Sequence, residues 1–364
     1  MALSIGIVGL PNVGKSTLFN ALNGGGAEAA NYPFCTIDPN VGLVQVPDAR
    51  MNALAEIVKP QAMQYAVVEF VDIAGLVAGA ASGEGLGNKF LANIRECSAI
   101  AHVVRCFDDD NVTHVADRVD PLGDIEIIDT ELMLKDMESL ERAVERQGKL
   151  TKSGDKDALA QLAVLEKVLK GLEDGTTVRR QKLTTDEQDK LKELCLLTIK
   201  PVLYLANVDD GSLPDGNAYV QSVRQFANEE GAEVAVISAQ IESELSEMDE
   251  DSKMEFLADL GLQEPGLNTV IRAAYTLLNM ITYFTAGVKE VRAWTIHRGD
   301  TAPKAAAVIH NDFEKGFIRA ETIAYDDYVS LGGEAKSKEA GKMRLEGKEY
   351  IVKDGDVLHF RFNV

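Results

Sequence analysis

The first apolar stretch of the chain, Leu3 to Val8, is short and stopped by Gly9, and Thr17-Leu18-Phe19-Asn20-Ala21-Leu22 behind it has helical spacing. This pattern predicts a strand, a glycine loop and a helix. Later apolar runs at Ala66 to Val71, Ile100 to Phe107, Pro201 to Ala206 and Val234 to Ile237 have the length and β-branched content of buried strands. Helical stretches separate them, so they predict a largely parallel α/β sheet. Between about Asp124 and Lys200 the strand signal stops. Met133, Met137, Leu140 and Val144 recur at four-three-four spacing, and after the polar break Lys149 to Asp157 a second stripe follows at Leu162, Leu165, Leu169 and Leu172. Two such seams predict a helical hairpin with coiled-coil packing. Thr184 with Glu187 three residues on has the form of a capping box, opening a third helix to about Thr198. Strand-like Pro201 to Ala206 then resumes, so the helical segment reads as an insertion.

The acidic stretch Glu242 to Asp259 reads as a solvated helix. After the break at Pro265-Gly266, a helix from Leu267 to Met280 leads into strands at Ile281 to Thr285, Val291 to Ile296 and Phe317 to Thr322, with a helix at Pro303 to Asp312. Tyr350 to Phe362 is apolar again, and Asp354-Gly355-Asp356 within it reads as a hairpin turn. These pieces predict a small α+β module. The expected organisation is an α/β domain over 1–124 and 200–277, a helical insertion over 125–199 and the C-terminal module over 278–364.

Composition narrows the class. The 364 residues are 46% hydrophobic and 26% charged, ordinary globular values, with a mean hydropathy of -0.07 and no apolar run of membrane-spanning length. Met1-Ala2-Leu3-Ser4 passes straight into the first strand without a signal-like segment, and Cys35, Cys97, Cys106 and Cys195 show no zinc or disulfide spacing. A cytoplasmic location with reduced thiols is the expectation. The net charge of -21 disfavours attraction to nucleic acid unless basic residues are segregated. They partly are: residues 278–364 carry 13 basic and 13 acidic residues, so the first 277 hold the whole imbalance. Arg142 to Lys182 carries 10 basic against 6 acidic residues, and on charge alone is either a solvated helical surface or a binding face.

Gly9-Leu10-Pro11-Asn12-Val13-Gly14-Lys15-Ser16 has the spacing of a phosphate-binding loop. Its glycines let successive backbone N–H groups turn inward around phosphate oxygens at the positive end of the next helix. Asn12, Val13, Gly14, Lys15, Ser16 and Thr17 are the expected donors. Lys15 adds a charge for the β- and γ-phosphates, and the Ser16 hydroxyl is placed to ligate Mg²⁺. Asp72 of Asp72-Ile73-Ala74-Gly75 should emerge at the carboxyl end of a strand, where its carboxylate can hold Mg²⁺ while the Gly75 N–H senses the γ-phosphate. Thr36 is either a switch threonine for the same Mg²⁺ or a surface residue. Asn207-Val208-Asp209-Asp210 and Ser238-Ala239 follow strands at the positions where a nucleotide base is read. A G domain has Asn-Lys-x-Asp there, and Val208 replaces the lysine, leaving the base open.

Leu76, directly after Asp72-x-x-Gly75, cannot orient an attacking water, so intrinsic turnover should be slow. His102, inside an apolar strand, reads as a satisfied core histidine. His114 is either a residue reaching the γ-phosphate or its water, or an ordinary loop histidine.

These motifs, with Asn31-Tyr32-Pro33-Phe34-Cys35-Thr36-Ile37-Asp38-Pro39-Asn40 and Gly83-Glu84-Gly85-Leu86-Gly87, resemble the Obg-related GTPases. The altered base motif, the helical insertion and Phe284-Thr285-Ala286-Gly287-Val288-Lys289-Glu290-Val291-Arg292-Ala293-Trp294 make the whole chain similar to the YchF (Obg-like ATPase) family. The resemblance implies a G domain interrupted by a coiled coil, then a TGS domain of β-grasp fold. It also implies slow hydrolysis of ATP in preference to GTP, with Mg²⁺, and association with ribosomes, particularly the large subunit. Members commonly carry Glu where this chain has Asp210. A GTP-preferring switch, and a ribosome- or RNA-binding module with incidental hydrolysis, are the alternatives; Leu76 favours incidental hydrolysis, whereas intact Lys15, Ser16 and Asp72 favour an enzyme.

Overall fold

The computed structural model describes residues 4–24, 40–73, 86–109, 119–151 and 154–363. In chain order, β1 (Ser4–Val8) and α1 (Lys15–Gly24) lead to β2 (Val41–Gln45), α2 (Ala49–Val58), β3 (Ala62–Gln64) and β4 (Val67–Asp72). Next come α3 (Leu86–Glu96), β5 (Ala99–Arg105), α4 (Pro121–Leu150), α5 (Lys156–Glu173), α6 (Thr185–Leu191) and β6 (Val202–Asn207). These are followed by α7 (Ala218–Glu230), β7 (Glu233–Ile237), α8 (Ala239–Glu247), α9 (Glu250–Asp259) and α10 (Gly266–Leu277). The remaining elements are β8 (Met280–Ala286), β9 (Glu290–His297), α11 (Ala302–Ile309), α12 (Asn311–Lys315), β10 (Phe317–Ala324), α13 (Tyr325–Leu331), α14 (Glu334–Glu339), β11 (Arg344–Glu346) and β12 (Asp356–Phe362).

The chain divides into two compact units: Met1–Gly42 with Glu69–Ala273, and Leu43–Val68 with Ala274–Val364. In the first, the sheet order is β2-β4-β1-β5-β6-β7, and β1 pairs parallel with both β4 and β5, as β6 does with β5 and β7. Every residue of β1, β5 and β6 is buried, which is why these strands read as continuous apolar runs rather than alternations. Their carboxyl ends, at Val8, Arg105 and Asn207, lie along one sheet edge.

The helical insertion begins earlier than expected. Pro121 occupies the first turn of α4, and the Asp120 carboxylate accepts the Gly123 N–H as its cap. α4 and α5 share a core of Leu140, Val164, Leu165, Val168 and Leu172, with Met133, Met137, Val144 and Leu169 partly buried against it. The predicted capping box forms between Thr184 and Glu187, but α6 ends at Leu191 instead of near Thr198. Beyond it the buried Asp136 carboxylate accepts the N–H groups of Leu197 and Thr198 at 2.7 and 2.8 Å, a stronger arrangement for those amides than another helical turn.

Arg179 departs from the reading of this region as a charged surface. Its side chain is 9% exposed, and it forms ion pairs with Asp129 at 2.6 Å and Glu230 at 3.2 Å. Burial alone would lower its pKa, but Asp129, Tyr204 and Glu230 together hold it above the ordinary value. Tyr204 completes the cluster by donating its hydroxyl to Glu230 at 2.6 Å. Arg180 and Lys182 remain more open, Arg180 lying over the Phe226 ring at 5.3 Å.

Glu242 to Asp259 is likewise not one solvated helix. α8 and α9 bury Ile241, Leu245 and Leu257 together, and the buried Glu242 carboxylate accepts the Gly266 N–H at 2.7 Å. Of the cysteines, Cys97 and Cys106 are buried and Cys195 is exposed, while Cys35 lies outside the described residues.

In the second unit the sheet order is β11-β10-β12-β8-β9-β3. β12 lies antiparallel to β10 and parallel to β8, while β8 and β9 form an antiparallel pair. Ala302, Ala305 and Ala306 of α11 seat the helix against Ile281, Tyr283 and Phe360, the small side chains permitting close approach. No hairpin turns at Asp354-Gly355-Asp356. Tyr350 and Val352 instead bond to the 300–302 backbone, through Ala302 N to Tyr350 O and Val352 N to Asp300 O. β3 pairs parallel with β9, Ala62 opposite Glu290, so residues 43–68 belong to this unit rather than to a domain running continuously over 1–124. Among the described residues no helix is long and apolar enough to cross a membrane.

Candidate nucleotide-binding site

The loop from β1 to α1 needs its glycines. Gly9, Asn12 and Gly14 have φ of 155°, 61° and 98°. A Cβ at Gly9 would run into the Val103 carbonyl, and one at Gly14 into the Asn207 side-chain amide. Only hydrogen fits at either place. Val13 is buried, whereas Ser16 and Thr17 are exposed on the first turn of α1, where a helix leaves N–H groups without intrahelical acceptors. Lys15 is 8% exposed, and its Nζ donates to Leu10 O at 2.6 Å. Burial lowers its pKa to about 8, with Asp72 pulling the other way.

Asp72 ends β4, opposite Ile7 of β1, which puts it beside the strand that feeds the loop. Burial raises its pKa and Lys15 lowers it. A half-buried carboxylate next to a buried ammonium, at a loop lined by helix N–H groups, suits an anion and a hard cation together.

The second half of the site is built on β6 and β7. Asn207 is buried and bridges two segments: Nδ2 donates to Val13 O at 2.9 Å, and Oδ1 accepts the Ala239 N–H at 2.9 Å. The base-side motif is thereby fastened to the phosphate loop. Val208 is buried, its N–H bonded to Ile237 O, while Asp210 is exposed and accepts a hydrogen bond from Ser238 Oγ at 3.3 Å. Ser238 also caps α8, accepting the Ile241 N–H.

Thr36, Gly75 and His114, with Leu76, lie outside the described residues. His102 is buried as expected but not satisfied: Nε2 has no hydrogen-bond partner among the described residues, and burial lowers its pKa to about 4. It is a neutral ring packed 5.6 Å from Tyr204.

Two further residues shape the same edge and carried no motif signal. Arg105, fully buried at the end of β5, donates to Phe107 O at 3.1 Å and lies over the Phe107 ring. Asn217 donates to Cys106 O at 2.7 Å while capping α7. Only the cap was legible, since Asn before a helical run has that preference.

A parallel sheet with a glycine loop at one strand end, a buried lysine and an asparagine bridge defines a P-loop protein of the GTPase class. A family model described as 50S ribosome-binding GTPase matches residues 4–153, and the YchF-GTPase C-terminal model, described as a protein of unknown function, matches residues 280–363. The chain is 62% identical to the ribosome-binding ATPase YchF of Haemophilus ducreyi and 58% identical to that of Escherichia coli O157:H7, each over the full length of both proteins. It is 56% identical to the Bacillus subtilis protein of the same name, again covering both chains completely. The solved YchF GTPase of Schizosaccharomyces pombe superimposes with a TM-score of 0.90 at 39% identity, over 99% of this chain and 97% of that one. The chain belongs to the YchF family.

Proposed function

We propose that this protein is a cytoplasmic, ribosome-associated, Mg²⁺-dependent ATPase that hydrolyses ATP to ADP and phosphate and uses its nucleotide state as a switch. The observation that carries the reading is the Asn207 bridge, which joins the base-side strands to a phosphate loop that holds a buried lysine. The names of the full-length relatives supply ATP and the ribosome as the substrate and partner to test.

In this reading the N–H groups of Asn12 to Thr17 cradle the phosphates, and Lys15 leaves Leu10 O to meet the β- and γ-phosphates. Ser16 and Asp72 hold Mg²⁺, joined by Thr36. An all-oxygen set with one carboxylate fits that ion, which keeps several waters and shares its shell with substrate phosphates. Bound Mg²⁺ supplies charge neutralisation on the phosphate oxygens. Gly75 senses the γ-phosphate, and His114 acts on the attacking water. Of the base-side set Asp210 is the exposed member that meets the base, while the buried Asn207, Val208 and Ser238 hold it in place against the phosphate loop, β7 and α8.

GTP preference is the second reading, and the Asp210 carboxylate favours it. Held by Ser238, it can accept the N1–H and amino group of guanine, whereas adenine N1 is itself an acceptor. Val208 weighs on the other side, because it removes a lysine's contacts over the base. Competition against labelled ATP, with phosphate release measured with and without Mg²⁺ and ribosomes, tests the proposal. ATP is expected to compete better than GTP and ribosomes to bind the protein; a clear GTP advantage replaces the ATPase reading with the GTPase one, and absence of Mg²⁺-dependent release removes both.

A further inference from the structure

The two middle strands of the C-terminal sheet part company early. β12 pairs with β10 along its whole length, from Asp356 opposite Ala324 to Phe362 opposite Phe317. On its other side it meets β8 at a single position among the described residues, Val357 opposite Phe284, just after the Gly355 N–H bonds Thr282 O. By that parallel register Ala286 lies level with His359, and there β8 ends, turning into β9 through a loop closed by Gly287 N on Glu290 O. Phe360, Arg361 and Phe362 run on past it, a reach of about 10 Å at strand rise. An antiparallel partner takes only every second residue's N–H and C=O, so beyond Val357 the alternate backbone groups of β12 face a side on which no described strand lies.

That open edge borders a cleft of about 540 Å³ within the same unit. Ile309 and Phe313 line it on the face that carries α11 and α12, where the Phe313 ring stacks on Phe362 at 3.7 Å. Ile323, Tyr328 and Met343 line it on the opposite face. Val288, on the β8–β9 turn, is 70% exposed at the mouth. A row of unpaired backbone groups between two apolar walls is what an extended chain recognises: its main chain extends the sheet, and its alternate side chains fall to one wall and then the other. Lys289 is outnumbered on the rim by Glu290, Glu321 and Glu334. Arg361 takes Glu321 at 2.9 Å, whereas Glu290 and Glu334 hold no ion pair among the described residues, so basic flanks on the incoming segment suit the rim.

We propose that the edge of β12 from Leu358 to Phe362 is a docking site for an extended, apolar segment of a partner protein with basic flanks, added to the sheet as a further strand. The site lies wholly in the C-terminal unit and needs no nucleotide.

The test uses the full chain without nucleotide and a fluorescein-labelled synthetic peptide with Val-Phe-Val-Ile at its centre and Lys at both ends. Anisotropy should give a Kd of about 10–100 µM, and N-methylating the four central amides, which leaves the side chains in place, should weaken it at least about tenfold. Hydrogen exchange at the open-edge amides within 358–362 should slow about tenfold at saturation, with the P-loop amides unchanged. Phe362→Ser, which removes the ring stack, should weaken binding about fivefold or more. Should that variant loosen the unit, Glu334→Lys on the exposed α14 is the second: it should weaken the Lys-flanked peptide and strengthen a Glu-flanked one. Equal affinity for the N-methylated peptide, binding without protection at 358–362, or no binding by about 1 mM overturns the proposal. So does protection of those amides that rises with protein concentration alone, which gives the edge to a second copy, or displacement of the labelled peptide by oligouridine but not by unlabelled peptide, which gives it to RNA.

Discussion

Lys15 gives the nucleotide site a pH dependence whose sign and size follow from its burial. Its ordinary pKa is 10.5 and burial lowers it to about 8. That difference corresponds to about 3 kcal/mol of unfavourable charge burial in the empty site. Between those two pH values the unfolded chain holds more protons at this residue than the folded one. The unfolding free energy of the nucleotide-free protein therefore rises with pH across the window from this group. Binding a triphosphate reverses the balance, since phosphate oxygens favour the ammonium and raise its pKa again. Affinity should then be flat below about pH 7.5, fall about tenfold by pH 9 and about 30-fold by pH 9.5. Titration with a fluorescent ATP analogue at constant ionic strength measures this directly. Lys15→Ala should bind weakly with no slope, and Lys15→Arg, which stays charged, should also be flat. A wild-type slope below twofold between pH 7.5 and 9.5, or the same slope in Lys15→Arg, would refute the assignment of Lys15 as the phosphate-facing charge.

Arg179→Ala strands Asp129 and Glu230 in a buried site and should cost about 3–5 kcal/mol in urea unfolding, against less than about 1 kcal/mol for Arg180→Ala. Asn207→Ala leaves Val13 O and Ala239 N unpaired; a loss of about 1–3 kcal/mol in stability is expected, with nucleotide affinity down at least tenfold by titration calorimetry. Reversing Arg180 and Lys182 to glutamate should weaken ribosome co-sedimentation and flatten its salt dependence, and unchanged binding at several salt concentrations removes that surface from the ribosome face. His114→Ala should lower kcat about 10²-fold or more with nucleotide affinity little changed, whereas wild-type turnover would return His114 to an ordinary loop role.

The local chemistry was legible in the sequence because short-range rules govern it. Gly9 and Gly14 mark a loop whose φ values and crowding admit no side chain, β1, β5 and β6 read as apolar runs because both sheet faces are covered, and Thr184 with Glu187 forms its capping box within four residues. Tertiary structure decided matters that depend on partners distant in the chain. Arg179 sits in a basic stretch that charge counting reads as surface, yet Asp129 and Glu230, 50 and 51 residues away, make burial tolerable. α6 passes at Leu191 into a 3₁₀ turn over Lys192–Leu194 that ends on Cys195 in the left-handed region, and the Asp136 carboxylate, some 60 residues earlier, takes the amides of Leu197 and Thr198 that a longer helix would have used. The largest reassignment, residues 43–68, turns on Arg50 meeting Asp354 across 304 residues and on β3 finding β9. Periodicity reports which face of a strand or helix is buried, but not which sheet buries it; that choice is made by long-range pairing, and here it takes a loop of the nucleotide domain and builds it into the C-terminal one.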